Sequence, residues 1–312
     1  MAWRKLGLIH ALEPSPDRAA AHMQGPVAIA LADRIRVFFA ARDARGKSYP
    51  ASMDVDRADP LRVIDLRPQR IAPPGATGAF DEDGAMPASA VRAGSDLWLY
   101  YTGWNVRMGM PYHNSIGVAS SRDDGRSFER MFDGPILDRT ASEPFLALAP
   151  CVVMDEHGWR MWYVSGLGWH EVAGRPEPLY ALKGATSADG IEWRRSGALT
   201  LPRRHEREAI GRATVLWRGG RYHMWFCYRG SDDFRDGKDA YRMGYARSEN
   251  LLDWERIDSL AGIDVSEDGW DSKMVTYPCT AEAGDRHLMF YNGNGFGAAG
   301  FGYAVASWEN EE

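Results

Sequence analysis

The chain has 312 residues, of which 45% are hydrophobic and 26% charged, a composition typical of a globular protein with a large apolar core. Its net charge is −6 and its pI is about 5.8. No basic surface is therefore predicted, and we expect neither nucleic acid nor an anionic membrane surface as a partner.

The N-terminal residues 1–18 lack the uninterrupted apolar run of a signal peptide. The longest apolar run, residues 27–41, contains three charged residues, so no membrane span is predicted. The three cysteines, Cys151, Cys227 and Cys279, are odd in number and show no CxxC spacing, which argues against a disulfide framework or a zinc site. We expect them to be small core residues of a cytoplasmic protein.

Short strand-like runs separated by Gly and Asp turns recur along the chain. A first run begins at Pro26, Pro87, Pro150, Ala213 and Pro278, so the spacings are 61, 63, 63 and 65 residues. A tight turn and an aromatic second run follow each time, then a third run of small residues and, in most repeats, a fourth. Five copies at a fixed period predict an all-β fold, a five-bladed β-propeller with four antiparallel strands per blade.

The two ends of the chain support a closed ring. The last repeat stops after its third strand, while WRKLG at residues 3–7 matches the fourth-strand run WRRSG at residues 193–197. An N-terminal strand that completes the last blade would remove an exposed sheet edge. We predict one domain over residues 1–312, with blades at about 20–75, 80–138, 143–203, 206–262, and 268–312 plus 1–10.

One face of the predicted propeller carries the long connections between second and third strands and the segments that precede the first strands. Long loops that share a face favour a binding site there. Trp side chains in these loops are candidates for stacking on sugar rings, although packing between blades is the alternative. The predicted substrate-binding residues are His22, Gln24, Arg42, Asp43, Trp104, His113, Trp169, His170, Arg212, Arg229, Trp270 and Asn294.

Carboxylates precede the first strands of four blades. Acids gathered in a partly desolvated funnel have divergent pKa values, which suits general acid and base catalysis. For any single acid the alternative is an ion pair with a neighbouring arginine. The predicted catalytic residues are Asp81, Asp83, Glu143, Glu208 and Asp271.

Five repeats, MWY strands and SxDGxxWxR-like turns at residues 187–194, with acids before strands of blades two and three, resemble the five-bladed glycoside hydrolase superfamily (families 43, 32, 68, 62 and 130). The resemblance covers the whole chain. It implies that Asp81 or Asp83 is the blade-two acid and that Glu143 or Glu208 is the proton donor.

Blade one departs from the family pattern, because His22 and Gln24 stand where the hydrolases have an Asp; Asp43 or Asp271 could substitute. A glycosidase-like enzyme acting on a sugar-like substrate is the predicted function. Phosphorolysis, with Arg42, Arg229 and Lys273 holding phosphate, a diverged biosynthetic enzyme and a non-catalytic glycan-binding propeller are the alternatives. No cofactor is predicted; aspartates and His22 near the axis could hold a structural calcium ion, but no loop has the spacing of a calcium site.

Overall fold

The computed structural model describes residues 1–9, 20–156, 158–235 and 237–308. Within these ranges the chain is almost entirely β-structure, with one 3-10 helix at Asp258–Leu260 and one helical turn, α1, at Asn294–Gly297. No helix in the described ranges is long and apolar enough to span a membrane. Residues 10 and 309–312, which we assigned to the last blade, lie outside the described residues.

The strands follow one another with short turns and a few long connections. In chain order they are β1 (Ala2–Ile9), β2 (Ala20–Ala30), β3 (Arg34–Arg42), β4 (Ser48–Asp56), β5 (Val63–Arg67), β6 (Gly84–Ala93), β7 (Asp96–Val106), β8 (Tyr112–Ser121), β9 (Glu129–Arg130), β10 (Ala147–Asp155), β11 (Gly158–Val172), β12 (Arg175–Ser187), β13 (Arg194–Leu199), β14 (Ala209–Arg218), β15 (Arg221–Arg229), β16 (Arg242–Ser248), β17 (Glu255–Arg256), β18 (Thr276–Ala283), β19 (Arg286–Asn292) and β20 (Phe301–Ser307).

These strands form four-stranded antiparallel sheets. Three of them have the orders β10-β11-β12-β13, β14-β15-β16-β17 and β1-β20-β19-β18. The groups β2–β5 and β6–β9 are paired in the same way and are linked only by a parallel pairing of Ser48 with Gly84. The prediction of an all-β chain built from four-stranded sheets is confirmed. The fourth strand of the first group, β5, had no recognisable sequence pattern.

The first strand of each group, here called an inner strand, contacts two other inner strands. The order of contacts is β2, β6, β10, β14, β18 and back to β2. Side chains link neighbours in this order, since the Ser89 hydroxyl accepts a hydrogen bond from the Val152 amide at 3.0 Å and the Thr214 and Thr280 hydroxyls lie 2.8 Å apart. The contacts of the inner strands therefore link all five groups to one another.

The first strand of the chain pairs with the last. Strand β1 runs antiparallel to β20, from Ala2 opposite Ser307 to Ile9 opposite Phe301. The buried Trp3 ring meets the Trp225 ring edge-on with 5.1 Å between ring centroids. β1 thus occupies the outer edge of the last sheet and packs against the sheet before it.

The apolar core lies between neighbouring sheets. One cluster, for example, contains Trp162 and Leu182 from the β10–β13 sheet and Met224 and Phe226 from the β14–β17 sheet. Burial of these faces supplies most of the stability that holds sheet against sheet. The three cysteines are buried and free, as predicted.

Candidate functional site

Each inner strand contains a β-bulge close to its Pro or Ala marker. The pairing register shifts between Gln24 and Val27 in β2, and equivalent shifts occur in β6, β10, β14 and β18. Gly25, Ala149 and Tyr277, each followed by proline, have positive φ angles of 67°, 49° and 54°. A bulge re-aims the side chains that it carries. Positive φ is costly for Ala and Tyr, so the surrounding structure must impose it.

Polar side chains from four strands meet at these bulges. The Gln24 amide nitrogen donates to the Tyr277 hydroxyl at 3.2 Å, and the Arg212 guanidinium donates to the Pro26 carbonyl at 2.7 Å. Tyr277 acts electrostatically on both Arg42 and Arg212. We call the group of Gln24, Arg42, Arg212 and Tyr277 the hub. Arg212 comes from β14 yet reaches β2, a strand that does not neighbour its own in the contact order.

A cluster of tyrosines lies beside the hub. The hydroxyls of Tyr180 and Tyr241 are hydrogen-bonded to each other, and both accept hydrogen bonds from Arg229, at 3.0 and 3.3 Å. Burial raises the pKa of Tyr241, Tyr277 and Tyr112, so all three stay neutral at physiological pH. The tyrosine cluster, which we define as Tyr112, Tyr180 and Tyr241, supplies hydroxyl groups and aromatic faces, which suit sugar hydroxyls and sugar rings.

The hub contains three of the predicted substrate-binding residues, and a fourth lies next to it. Gln24, Arg42 and Arg212 belong to it, and His22 lies close to Arg42, half-buried. Burial first, and then the charge of Arg42, lowers the pKa of His22. Sequence reasoning missed Tyr277, although its place immediately before Pro278 marks the same repeat position as Gly25 before Pro26.

Three of the predicted catalytic acids each accept a hydrogen bond from a tyrosine hydroxyl. Each also forms an ion pair with a basic residue, the base, of the same group of strands. In every case the tyrosine lies 20 residues after the acid on the second strand of the group, and the base lies on the outermost strand. We call this arrangement a cross-tie. The cross-ties consist of Asp81 with Tyr101 and Arg130, Glu143 with Tyr163 and Arg195, and Asp271 with Tyr291 and Lys5.

Glu208 forms a stronger version of the same contact. Its two oxygens accept hydrogen bonds from Arg256 at 2.8 Å each, and Arg204 adds its side chain and its amide. Tyr228, again 20 residues later, stacks against Arg204 instead of bonding the acid. Burial alone would raise the pKa of Glu208, but these hydrogen bonds lower it to about 2.

The four buried acids belong to four different sheets. Among the described residues, no hydrogen bond or ion pair joins any two of them. Glu143 also has a pKa below its usual range, because the hydrogen bonds from Tyr163 and Ser165 outweigh its burial. An acid that stays ionised at neutral pH is poorly suited to donate a proton. A catalytic role for these acids stays a prediction.

Asp83, the alternative to Asp81, follows it by two residues and is more exposed. It accepts a hydrogen bond from the Val106 amide at 2.9 Å and pairs with Lys47 at 3.0 Å. The Val106 amide lowers the pKa of this half-buried carboxyl more than its partial burial raises it. Trp104, nearby, donates to the Ser48 hydroxyl at 2.6 Å.

The predicted binding residues of the middle loops are split between two places. The Trp169 ring meets the Tyr112 ring at 5.6 Å, next to the tyrosine cluster, and His170 contacts the Ser231 carbonyl at 3.1 Å. The His113 Nε2 atom lies 2.8 Å from Asp138 and 3.2 Å from the Ser115 hydroxyl. Because both partners share one ring nitrogen, this group is not a proton relay of the serine hydrolase type.

Three other predicted residues organise their own loops. Asp43 accepts the Arg45 and Lys47 amides at 2.9 Å each, and Asn294 accepts the Lys273 amide at 2.7 Å. Trp270 packs on Tyr291 with 5.1 Å between ring centroids. Arg229 donates to the Pro178 and Gly230 carbonyls as well as to the two tyrosines, so its nitrogens are engaged within the chain.

The low pKa of Glu208 predicts the acid sensitivity of the fold. Since its pKa is lower in the folded than in the unfolded protein, Glu208 stabilises the fold fully above about pH 4.5, and this contribution is lost as the pH falls towards 2. We expect the free energy of unfolding to fall over this interval, measured by urea denaturation at a series of pH values. In the Glu208→Gln variant the free energy of unfolding should depend less steeply on pH. A pH dependence equal to that of the unsubstituted protein would contradict the low pKa of Glu208.

The chain was compared with known proteins. No model of a known protein family matches it. A protein of Mycobacterium tuberculosis strain H37Rv, named "Uncharacterized protein Rv1502", is 38% identical over 307 residues, which cover 98% of this chain and 99% of that protein; its counterpart in strain CDC 1551 has the same identity.

Solved structures with a similar fold include glycoside hydrolases and an N-acetylgalactosamine deacetylase. One titled "Glycoside hydrolase" has a TM-score of 0.76 at 17% identity, covering 99% of this chain and 93% of that one. An exo-1,5-alpha-L-arabinanase from a bovine ruminal metagenomic library has a TM-score of 0.66 at 13% identity, covering 96% of this chain and 98% of its own. The resemblance to the propeller glycoside hydrolases is thereby confirmed at the level of the fold.

Proposed function

The chain belongs to the family of the two Mycobacterium tuberculosis proteins, and we propose that it is a carbohydrate-active, glycosidase-like enzyme that binds its saccharide at the hub. The observation that carries this proposal is the convergence of Gln24, Arg42, Arg212 and Tyr277 from four strands, beside the tyrosine cluster. Amide, guanidinium and phenol groups around aromatic faces suit a sugar with its many hydroxyls.

The proposal includes the architecture. We take the five groups of strands as five blades of one propeller domain over residues 1–312, closed by β1 in the last blade. The cyclic contacts of the inner strands and the pairing of β1 with β20 support this reading. In a propeller the bulges of the inner strands surround the central axis, which explains why Arg212 reaches across to β2.

A reaction at the hub would differ from hydrolysis by two carboxylates, because none of the four hub residues is an acid. Asp81, Glu143, Glu208 and Asp271 are each engaged by a base of their own sheet, which supports a bracing role. If phosphate supplied the attacking group, fewer protein carboxylates would be needed, and Arg42 and Arg212 lie where they would hold an anion. The same observation also favours a second candidate, a non-catalytic glycan-binding propeller.

Calorimetry with a panel of glycans, beside a product assay with and without phosphate, separates these candidates. Binding with turnover only when phosphate is added would identify a phosphorylase, and turnover without phosphate a hydrolase. Binding without turnover under either condition would identify a glycan-binding protein. No binding of any glycan, by a folded protein at millimolar concentrations, would refute the proposed function.

Tyr277→Phe tests the position of the saccharide. The substitution removes a hydroxyl that pairs with Gln24 in the hub, so we expect saccharide affinity to fall about tenfold, as for the loss of one hydrogen bond in a buried site. Isothermal titration calorimetry measures the change. Tyr100→Phe is the matched control, because it loses a buried hydroxyl contact to the Gly190 carbonyl at 2.9 Å far from the hub. Equal losses in both variants would place the saccharide elsewhere.

A further inference from the structure

Arg212 is a buried cation without a negative partner among the described residues. Its side chain is 4% exposed, one guanidinium nitrogen donates to the Pro26 carbonyl, and its Nε atom has no hydrogen-bond partner in the described part of the chain. An arginine does not lose its proton in a protein, and a buried charge without a counter-charge is strongly unfavourable.

No carboxylate in the described part of the chain forms a hydrogen bond or ion pair with Arg212. The main ionisable groups that act on it are the thiols Cys151, Cys227 and Cys279 and the Tyr277 hydroxyl. Burial raises the pKa of Cys151 to about 12 and raises that of the other two thiols and of Tyr277, so all four are neutral. Arg42, on which Tyr277 also acts, and His22, on which Arg42 acts, are both basic residues.

The other buried arginines of the described residues are either paired with a carboxylate or hydrogen-bonded through every nitrogen. Arg36, 1% exposed, donates to both oxygens of Asp54 at 2.7 and 2.8 Å, and Arg256 holds Glu208 in the same bidentate manner. Arg229 lacks a carboxylate, but its three nitrogens are all hydrogen-bonded within the chain. Arg212 differs from each of them because it has both its charge and an N–H group unpaired.

We infer that the hub binds an oxyanion, a carboxylate or a phosphate carried by the saccharide, and that Arg212 is its principal ligand. Arg42, which is half-buried and has no ion pair in the described residues, is within electrostatic range of Tyr277 and adds a second positive charge. Gln24 and Tyr277 then face the sugar hydroxyls next to the anion. This inference rests on the proposed function and narrows its substrate class to acidic or phosphorylated sugars.

The test compares matched neutral and charged sugars. Glucose, glucuronic acid, glucose 1-phosphate and inorganic phosphate are titrated into the full chain by calorimetry at low salt, where charge–charge attraction is strongest. We expect at least one charged sugar to bind ten times or more tightly than glucose. The charged sugar that binds more tightly shows whether the anionic group of the saccharide is a carboxylate or a phosphate.

Arg212→Met removes the charge and keeps most of the side-chain volume. We expect this variant to lose the preference for charged sugars and to melt no lower than the unsubstituted protein, since an unpaired buried charge has been removed. Arg122→Gln is the control, because Arg122 is 87% exposed and its loss changes the net charge equally. Arg42→Gln, which removes the second charge nearer the surface, should weaken the preference at least threefold.

The outcomes separate this inference from the proposed function. If glucose binds as tightly as both charged sugars, the inference is wrong while saccharide binding stands. If inorganic phosphate binds through Arg212 but no sugar does, the anion site is supported and the proposed function fails. If Arg212→Met melts well below the unsubstituted protein and Arg42→Gln keeps the preference, Arg212 is a structural residue and the inference is wrong.

Discussion

Replacing Glu208 with Ala is expected to lower the free energy of unfolding by about 3 kcal/mol, the lower end of the cost of breaking a buried ion pair. The carboxylate is 1% exposed and pairs with both Arg256 and Arg204, so its removal leaves Arg256, itself almost fully buried, with only Asp258 as a counter-charge. Urea denaturation followed by tryptophan fluorescence measures the loss, because Trp254 and Trp225 lie in the neighbouring core clusters.

Glu206→Ala is the matched control for Glu208→Ala. Glu206 is exposed and only its backbone carbonyl is used, by Arg203, so its substitution should change stability by less than about 0.5 kcal/mol. A Glu208→Ala protein that is as stable as this control, but has lost activity on a verified substrate, would favour catalysis over bracing for Glu208. A large loss of stability supports the cross-tie.

Trp3→Ala should cost about 3–5 kcal/mol of stability, which is typical for deleting a buried aromatic ring. Trp3 is 5% exposed and packs with Trp225, Met243 and Tyr245 in a cluster that joins β1 to the preceding sheet. The substitution leaves a large cavity at the place where the N-terminal strand is held. Thermal and urea denaturation measure the change.

Trp217→Ala is the control for Trp3→Ala. Trp217 is 50% exposed and contacts mainly Tyr222, so its loss should cost less than about 1 kcal/mol. If the two substitutions had equal effects, β1 would contribute little to the fold. The closed propeller that we propose would then lose its principal support.

The period of about 63 residues was enough to place the inner strands. A sequence pattern that repeats at a fixed period occupies the same position in each group of strands. All five markers therefore lie in inner strands: Pro26, Pro87, Pro150, Ala213 and Pro278. Strand β5 escaped prediction because its sequence, VIDLR, lacks the pattern of the other fourth strands, in which Trp or Phe is followed two residues later by Arg or Lys.

The environment of the acids was only partly predictable. The 20-residue interval from Asp81 to Tyr101 recurs from Glu143 to Tyr163 and from Asp271 to Tyr291, and it is visible in the sequence. The base that completes each cross-tie comes from the outermost strand, 49 residues after Asp81 and 52 after Glu143, whereas the base for Asp271 is Lys5, at the other end of the chain. Sequence reasoning therefore placed the acids in register but did not identify their partners.

The tyrosine cluster follows the repeat, although sequence reasoning did not single it out. Tyr112, Tyr180 and Tyr241 are 68 and 61 residues apart, close to the period of the inner strands, and each lies in or next to the third strand of its group. Their contacts with Arg229 depend on how neighbouring sheets pack. The spacing alone therefore places these tyrosines in register but does not identify their partners.

The pairing of β1 with β20 determines how the molecule responds to tension. Ala2 lies opposite Ser307, so the two ends of this strand pair are adjacent, and a pull that separates them loads the hydrogen bonds one after another towards Ile9. Such peeling needs less force than shearing all the bonds of a strand at once. The salt bridge of Lys5 with Asp271, at 2.7 Å in the middle of β1, would then be the first strong resistance that a pulling experiment meets.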